Sequence, residues 1–403
     1  MGVSAVLAYY FLHLYGLWMK PVTTVQCMGE AERSVCTVSH VCYTTNNVSK
    51  RHELYALHST EQYATPLLLG YIIATDLFPQ STIYLLDKKD DCQSTSQTLL
   101  PGVSILLYRF KPDNIMHVLH DDVLPVYAVL HKLYPELSAP YPVRLAFADD
   151  YGVMPYDELY ADLVQESLVY DSLDLCFEEI IVGFDKSTLW YQYGFTKPQG
   201  PIAHNASLIS DIISGYIGNK KEPSSKQITV FSRQDTRRII NEAELMLSLA
   251  REFSISVRLL DLNSHSMSEV IEIMSRSSIV IGMHGALFSS MIWLPENAVV
   301  VELFPYAVNP AHYTPYKTLA GIMNLTYLSW VNNDNSKTYG HPDYPTEFGG
   351  FLHLPVSEQD KIMAETEVGY HLCCDDPSWL YHIYQDTAVD VGAVLEMLRP
   401  VLN

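Results

Sequence analysis

Three stretches of this chain bring together side chains able to do chemistry. In Tyr108 to Pro125, YRFKPDNIMHVLHDDVLP, a helix can start after Pro112 with Asp113 as first candidate for its cap. His117 and His120 then stand one turn apart on a shared face, beside Asp121 and Asp122. A histidine oriented by a carboxylate is a competent base for a hydroxyl, and so is an aspartate shielded from water. As a zinc site the set is weak, because a third ligand is not apparent. In Val280 to Leu303, VIGMHGALFSSMIWLPENAVVVEL, residues His284, Gly285 and Ala286 fall where an apolar strand turns into a helix. A closely approaching backbone, free amides and an imidazole can together hold a diphosphate there. Glu302 ends the next strand; in a parallel sheet it faces the same cleft and can accept bonds from ribose hydroxyls. Arg233, with Arg237 and Arg238 close behind, follows a further strand and offers guanidinium donors to a departing diphosphate without a metal. Each set also has a structural reading: capping or core polar residues, a tight turn with a core histidine, a solvated basic loop.

Alternating elements are needed to position these groups. Gln227 to Ser232 reads as a strand, followed by a helix that opens with Asn241 and Glu244 as a capping box. Ile255, Val257 and Leu259 alternate as a strand, and Ser266 with Glu269 caps another helix. Ser278 to Gly282 is a buried strand, a helix starts at about Ala286, and Ala298 to Phe304 is the next strand. This alternation is the signature of a parallel sheet covered on both faces. In the first half Val103 to Tyr108, Val143 to Phe147 and Glu179 to Val182 read as strands, and 114–133 and 157–168 as helices. The expected fold is α/β and GT-B-like: two doubly wound, Rossmann-like domains facing a cleft. The expected divisions are an anchor over 1–20, an acceptor-side domain over 21–204, a linker over 205–226, a nucleotide-sugar domain over 227–370 and helices packing back over 371–403.

Composition narrows the partners. A chain of 403 residues with 48% hydrophobic and 18% charged positions can bury a large core and is not disordered. Its net charge of −21 repels a polyphosphate backbone, whereas a small phosphorylated ligand needs only one or two arginines. Val3 to Met19 is apolar, about long enough to span a bilayer, and lacks a convincing cleavage site; an uncleaved signal anchor is expected, with a cleaved signal or a buried N-terminal helix as the alternatives. None of the seven cysteines forms a Cys-x-x-Cys pair, and Cys27, Cys36 and Cys42 suit disulfides in a luminal compartment. Glycosylation triplets begin at Asn47, Asn205 and Asn324. No Asp-x-Asp pattern supports a metal-dependent diphosphate site, so no metal and no cofactor is expected.

Taken together, RFKPDNIMHVLHDDVLP (109–125), TLWYQYGFTKPQGP (188–201), FSRQDTRRIINEAEL (231–245), VVELFPYAVNPAHYTPYKTLA (300–320) and HLCCDDPSWLYHIYQDTAVD (371–390) resemble glycosyltransferase family 61, over about Cys27 to Val401. Within it the blocks are most similar to members acting on O-linked mannose. The resemblance implies an inverting β-1,4 transfer of N-acetylglucosamine from UDP-N-acetylglucosamine (UDP-GlcNAc) to O-mannose on a protein of the α-dystroglycan type. It also implies a type II protein of the endoplasmic reticulum membrane with its catalytic region luminal. By motif, the donor site would include Arg233, Arg237, His284, Gly285, Ala286 and Glu302, while the residues themselves offer His117, His120, Asp121 or Asp122 as the base. Arg109, Asn114, Trp190, Tyr191 and Tyr193 are the acceptor-side expectations. Vertebrate members continue into a fibronectin type III domain, which this chain is not expected to carry. The alternatives are another family specificity, such as GlcNAc transfer to EGF domains or xylosyl transfer, and a catalytically silent UDP-sugar or glycan-binding protein.

Overall fold

The computed structural model describes residues 22–29, 34–45, 51–57, 67–72, 82–86, 99–170, 175–184, 186–193, 200–202, 206–218, 227–369 and 376–402. Nine strands of the first half form one sheet: β1 (Val25–Met28), β2 (Val35–Thr45), β3 (His52–Ala56), β4 (Leu67–Tyr71), β5 (Thr82–Leu86), β6 (Leu99–Leu107), β7 (Arg144–Phe147), β8 (Leu168–Val169) and β9 (Cys176–Val182). Their order is β4-β5-β3-β2-β9-β6-β7-β8, and β1 shares one edge of β2 with β3. The run β9-β6-β7-β8 is parallel, but β2 is antiparallel to β1, β3 and β9. This mixed sheet overturns the expectation of two doubly wound, GT-B-like domains. Its cause is visible in the connections: residues 46–51 are too few for the crossover of about a dozen or more that a parallel pair requires, so β2 and β3 meet antiparallel. Disulfides Cys27–Cys36 and Cys42–Cys176 tie β2 to β1 and to β9; Cys92, Cys373 and Cys374 lie outside the described residues.

Between β6 and β7 the chain runs helically as expected, but in three parts that together make α1: Ile115–His117, then π turns over Val118–Val123, then Leu124–Leu133. Pro125 has no N–H to donate to the carbonyl of Asp121, and its ring crowds that carbonyl. The wider turn relieves both, and Leu124 donates five residues back to Leu119. Asn114 caps the start by accepting from the Met116 amide at 3.0 Å. The helix expected over 157–168 is reduced to α2, Asp157–Ala161. After the short strands β10 (Tyr191–Gln192) and β11 (Gly200–Pro201), helix α3 (Ala206–Ile217) buries Ile209, Ile212 and Ile213 in the core.

The second half is the doubly wound sheet that the alternation implies. Strands β12 (Gln227–Phe231), β13 (Ser256–Leu260), β14 (Ile279–Met283), β15 (Val299–Phe304) and β16 (Thr326–Val331) run parallel in the order β13-β12-β14-β15-β16. Helices α4 (Glu242–Phe253) and α5 (Met267–Ser275) make two of the crossovers. The Ser266–Glu269 capping box forms, whereas Asn241 spends its side chain on the backbone of Val389 and on Glu244. After β14 the expected α-helix is a 3₁₀ helix, Ala286–Trp293. The chain ends with α6 (Pro315–Ile322), α7 (Val356–Ala364), α8 (Pro377–Ile383) and α9 (Val391–Leu402), the last of which packs Val394 and Leu398 back into the second-half core. One apolar core passes through both halves, joining Ile115 and Met116 of α1 and Ile213 of α3 to Leu287, Phe288 and Met291.

Among the described residues no helix is long and apolar enough to cross a membrane, and the segment expected as an anchor, 1–20, lies outside them. Asn47 and Asn205 lie outside them as well. Asn324 is exposed at the turn between α6 and β16, at φ +53°.

Candidate functional site

The order β13-β12-β14 reverses direction between β12 and β14, and ligands of open parallel sheets sit outside the carboxyl ends of strands at such a point. Arg233 follows β12, and His284 follows β14. Two adjoining cavities lie there. The first, about 340 Å³, has walls of mixed polarity and contains Ser232, Arg233, Gln234, Asp261 and Asn263, closed on the other side by Asn114 and Tyr156 of the first half. The second, about 210 Å³, holds His117, His284, Tyr313, Tyr316 and Trp379. Asn114, Arg237, Ala286 and Tyr384 line both and form the seam between them.

At the seam, two guanidinium groups come together beside Gly285. The Arg233 Nε donates to the Thr236 carbonyl at 3.2 Å, and the Arg237 Nη1 to the His284 carbonyl at 3.1 Å. Among the described residues neither has a carboxylate partner, and the Arg237 Nε is buried without an acceptor. Burial, then the neighbouring Arg237, lowers the pKa of Arg233 to about 9, which leaves it protonated at neutral pH. Arg237 also lies over the Tyr384 ring at 4.7 Å and has a left-handed backbone, φ +58°. A Cβ built on Gly285 would stand 3.0 Å from Nη1 of both arginines. A larger residue would have to push both guanidinium ends aside, while the backbone itself, with φ of 165°, suits any residue. Two guanidinium groups above the open amides of a 3₁₀ start make a place for an anion of more than one charge.

Two histidine–carboxylate pairs face the second cavity. Asp121 is fully buried, and its two oxygens accept from two imidazoles, His117 Nδ1 at 2.6 Å and His120 Nδ1 at 2.5 Å. Burial drives its carboxyl up, yet His120 and His117 together outweigh burial and its pKa falls below the ordinary value. The Nε2 of His120 accepts from the amides of Trp190 and Tyr191 at 3.2 and 3.3 Å, so its lone pair is occupied. His117 has no such partner among the described residues; its Nδ1–H is held by Asp121 and its Nε2 is left for the cavity. In the second pair His284 Nδ1 meets Glu302 Oε1 at 2.5 Å, and the other Glu302 oxygen accepts from the Tyr327 hydroxyl, also at 2.5 Å.

The remaining sequence expectations sort by burial. Glu302 does not face the cleft: it is fully buried and engaged by His284 and Tyr327. Asp122 is fully buried and accepts from Tyr160 at 2.6 Å; burial pushes its carboxyl well above the usual range. Arg109 has no exposure and is enclosed by Asp149, Asp157 and the Gly152 carbonyl, with its guanidinium over Phe147. It is a structural ion pair rather than an acceptor contact. Trp190 is also fully enclosed, edge-on to His120 at 4.3 Å, while Tyr191 and Tyr193 reach the second cavity. Arg238 turns away to Asp386 at 2.7 Å.

Residues 115–301, from α1 to β15, match the family profile described as Glycosyltransferase 61. Protein O-linked-mannose beta-1,4-N-acetylglucosaminyltransferase 2 of Takifugu rubripes is 36% identical over 416 residues, 94% of this chain and 69% of that protein. The chain belongs to glycosyltransferase family 61. Proteins of the same name from Homo sapiens and Bos taurus are each 41% identical over 321 residues, 75% of this chain and 55% of theirs. The chain is therefore a glycosyltransferase, and it spans between about half and two-thirds of the length of these relatives. Within this family-61 fold the site also uses residues that sequence reasoning missed. Tyr327 reaches Glu302 from the neighbouring strand β16, and Tyr384 and Trp379 come from the C-terminal segment. No spacing signal marks them, because only the sheet order and the returning chain bring them near.

Proposed function

We propose that this family-61 glycosyltransferase moves N-acetylglucosamine from UDP-GlcNAc, with inversion and in β-1,4 linkage, to O-linked mannose on a protein. The observation that carries the mechanism is the open Nε2 of His117 in the cavity that adjoins the Arg233–Arg237 pair. The acceptor hydroxyl loses its proton to this Nε2 as its oxygen attacks the anomeric carbon. The bond from that carbon to the diphosphate oxygen breaks on the opposite face, and its electron pair leaves with UDP. Arg233, Arg237 and the amides after Gly285 stabilise the departing charge. Asp121 keeps the Nδ1–H of His117 in place and balances the imidazolium that forms. The donor and acceptor identities are supported by the names of the relatives.

In this reading the two arginines supply the charge stabilisation that a divalent ion gives elsewhere. Metal-independent transfer is part of the same reading. Two disulfides and an exposed Asn324 support a luminal location in the endoplasmic reticulum. The test is transfer from UDP-GlcNAc to an O-mannosyl peptide, with and without EDTA. A β-1,4 product that survives chelation is expected. UDP binding without product from this or any other UDP-sugar refutes the catalytic reading, and transfer only to EGF domains or only of xylose refutes the specificity.

A further inference from the structure

The first cavity presents an electrostatic asymmetry that the transfer reaction alone does not use. Arg233 and Arg237 stand at its β12–β14 end; of the three carboxylates that line it, Asp113 and Asp235 are exposed, and Asp261, at the carboxyl end of β13, is buried. A carboxylate cannot face the same phosphates as the arginines, because like charges repel across a shielded gap. It can face only the uncharged end of the ligand. Asp261 is 7% exposed and is aimed by its neighbours: its Oδ2 accepts from Gln234 Nε2 at 3.2 Å and from Ser264 Oγ at 3.1 Å, and its Oδ1 from the Asn263 amide at 3.0 Å. An ionised carboxylate has room for about four hydrogen bonds, so capacity remains. Strands in a sheet lie about 4.8 Å apart, and β12 is the one strand between β14 and β13. The guanidinium ends lie beside Gly285 at the end of β14, two strand spacings from β13, and so on the order of 10 Å from the Asp261 end, a separation that suits a nucleoside diphosphate.

We infer that Asp261, aimed by Gln234, accepts a hydrogen bond from the nucleoside of the donor, at a ribose hydroxyl or at the uracil N3–H, and so sets the direction in which the donor enters. The assignment rests on the nucleotide-sugar reading above. It transfers to Asp261 the nucleoside role that the buried and fully engaged Glu302 cannot perform.

The experiment measures binding of UDP, 2′-deoxy-UDP and N3-methyl-UDP by calorimetry to the full chain and to Asp261→Asn, in the absence of acceptor. The unmodified chain binds one of the two analogues about 10- to 100-fold more weakly than UDP, the worth of a hydrogen bond to a charged group. Asp261→Asn loses that preference while its affinity for the other analogue stays parallel to UDP; which analogue it is tells ribose from base. Gln234→Leu, which keeps the carboxylate and removes its guide, narrows the same preference and serves if Asp261→Asn melts early. A uniform loss for all three nucleotides, or none, overturns the assignment while leaving transfer intact. Failure of the unmodified chain to bind UDP overturns both this assignment and the donor reading.

Discussion

Replacing His117 is the most direct way to challenge the mechanism. Its imidazole is held by a 2.6 Å bond to Asp121, and its free nitrogen opens on the cavity in which the proposed mechanism seats the acceptor. A positioned base contributes about 10²- to 10⁴-fold, or about 2.7–5.4 kcal/mol of barrier at 1.36 kcal/mol per decade. His117→Gln is therefore expected to lower kcat by that factor. The KM for UDP-GlcNAc should stay within about threefold, because His117 does not line the cavity that holds Arg233 and Asp261. Asp121 acts only through the imidazoles it holds, so Asp121→Asn alone slows turnover, and the double variant is no slower than His117→Gln. Single-turnover transfer to an O-mannosyl peptide, with thermal melting to confirm folding, reads all three. Turnover of His117→Gln within about tenfold of the unmodified enzyme, or additive losses in the double variant, refutes the assignment of the base.

Three further outcomes follow from the geometry. Gly285→Ala inserts a methyl group 3.0 Å from both guanidinium groups without backbone strain, and is expected to weaken UDP binding by about tenfold or more with an unchanged melting temperature. Asp122 holds its proton in the folded chain while its unfolded counterpart ionises; stability therefore falls as pH rises from the ordinary carboxylate value through the folded one. Asp122→Asn removes this dependence, so melts between pH 4 and 8 should show the variant gaining on the unmodified protein toward high pH. Cys42–Cys176 spans 134 residues of chain, and Cys42→Ser with Cys176→Ser is expected to cost about 2–5 kcal/mol in denaturant unfolding, against less for the Cys27–Cys36 pair separated by 9.

Legibility in the sequence followed locality. The second half alternates strands and helices over short distances, so its strands and the Ser266–Glu269 cap could be read directly, and its parallel sheet followed. The histidines and aspartates of α1 were equally visible, but their roles were not. Whether His117 or His120 keeps a free nitrogen depends on the Trp190 and Tyr191 amides, about seventy residues away in the chain. Glu302 shows the same limit. A strand-end carboxylate looks available until Tyr327 from the adjacent strand and His284 close on it. In the first half, pairing follows connection length more than composition, and the antiparallel placement of β2 has no signature in its own residues. Arg109 illustrates a third limit, since an arginine reads as a ligand contact until Asp149 and Asp157 enclose it.

The apolar core that passes from α1 and α3 into the 3₁₀ helix after Gly285 has a consequence for how such enzymes diversify. Were the halves held by a linker alone, each could be exchanged among relatives as an independent part, one carrying donor preference and the other acceptor preference. Here Ile115, Met116 and Ile213 of one half interdigitate with Leu287, Phe288 and Met291 of the other. A chimera must match volumes across that boundary before its chemistry can be compared. New specificities are therefore reached more readily by changing cavity walls than by recombining halves, and a failed chimera reports on packing rather than on recognition.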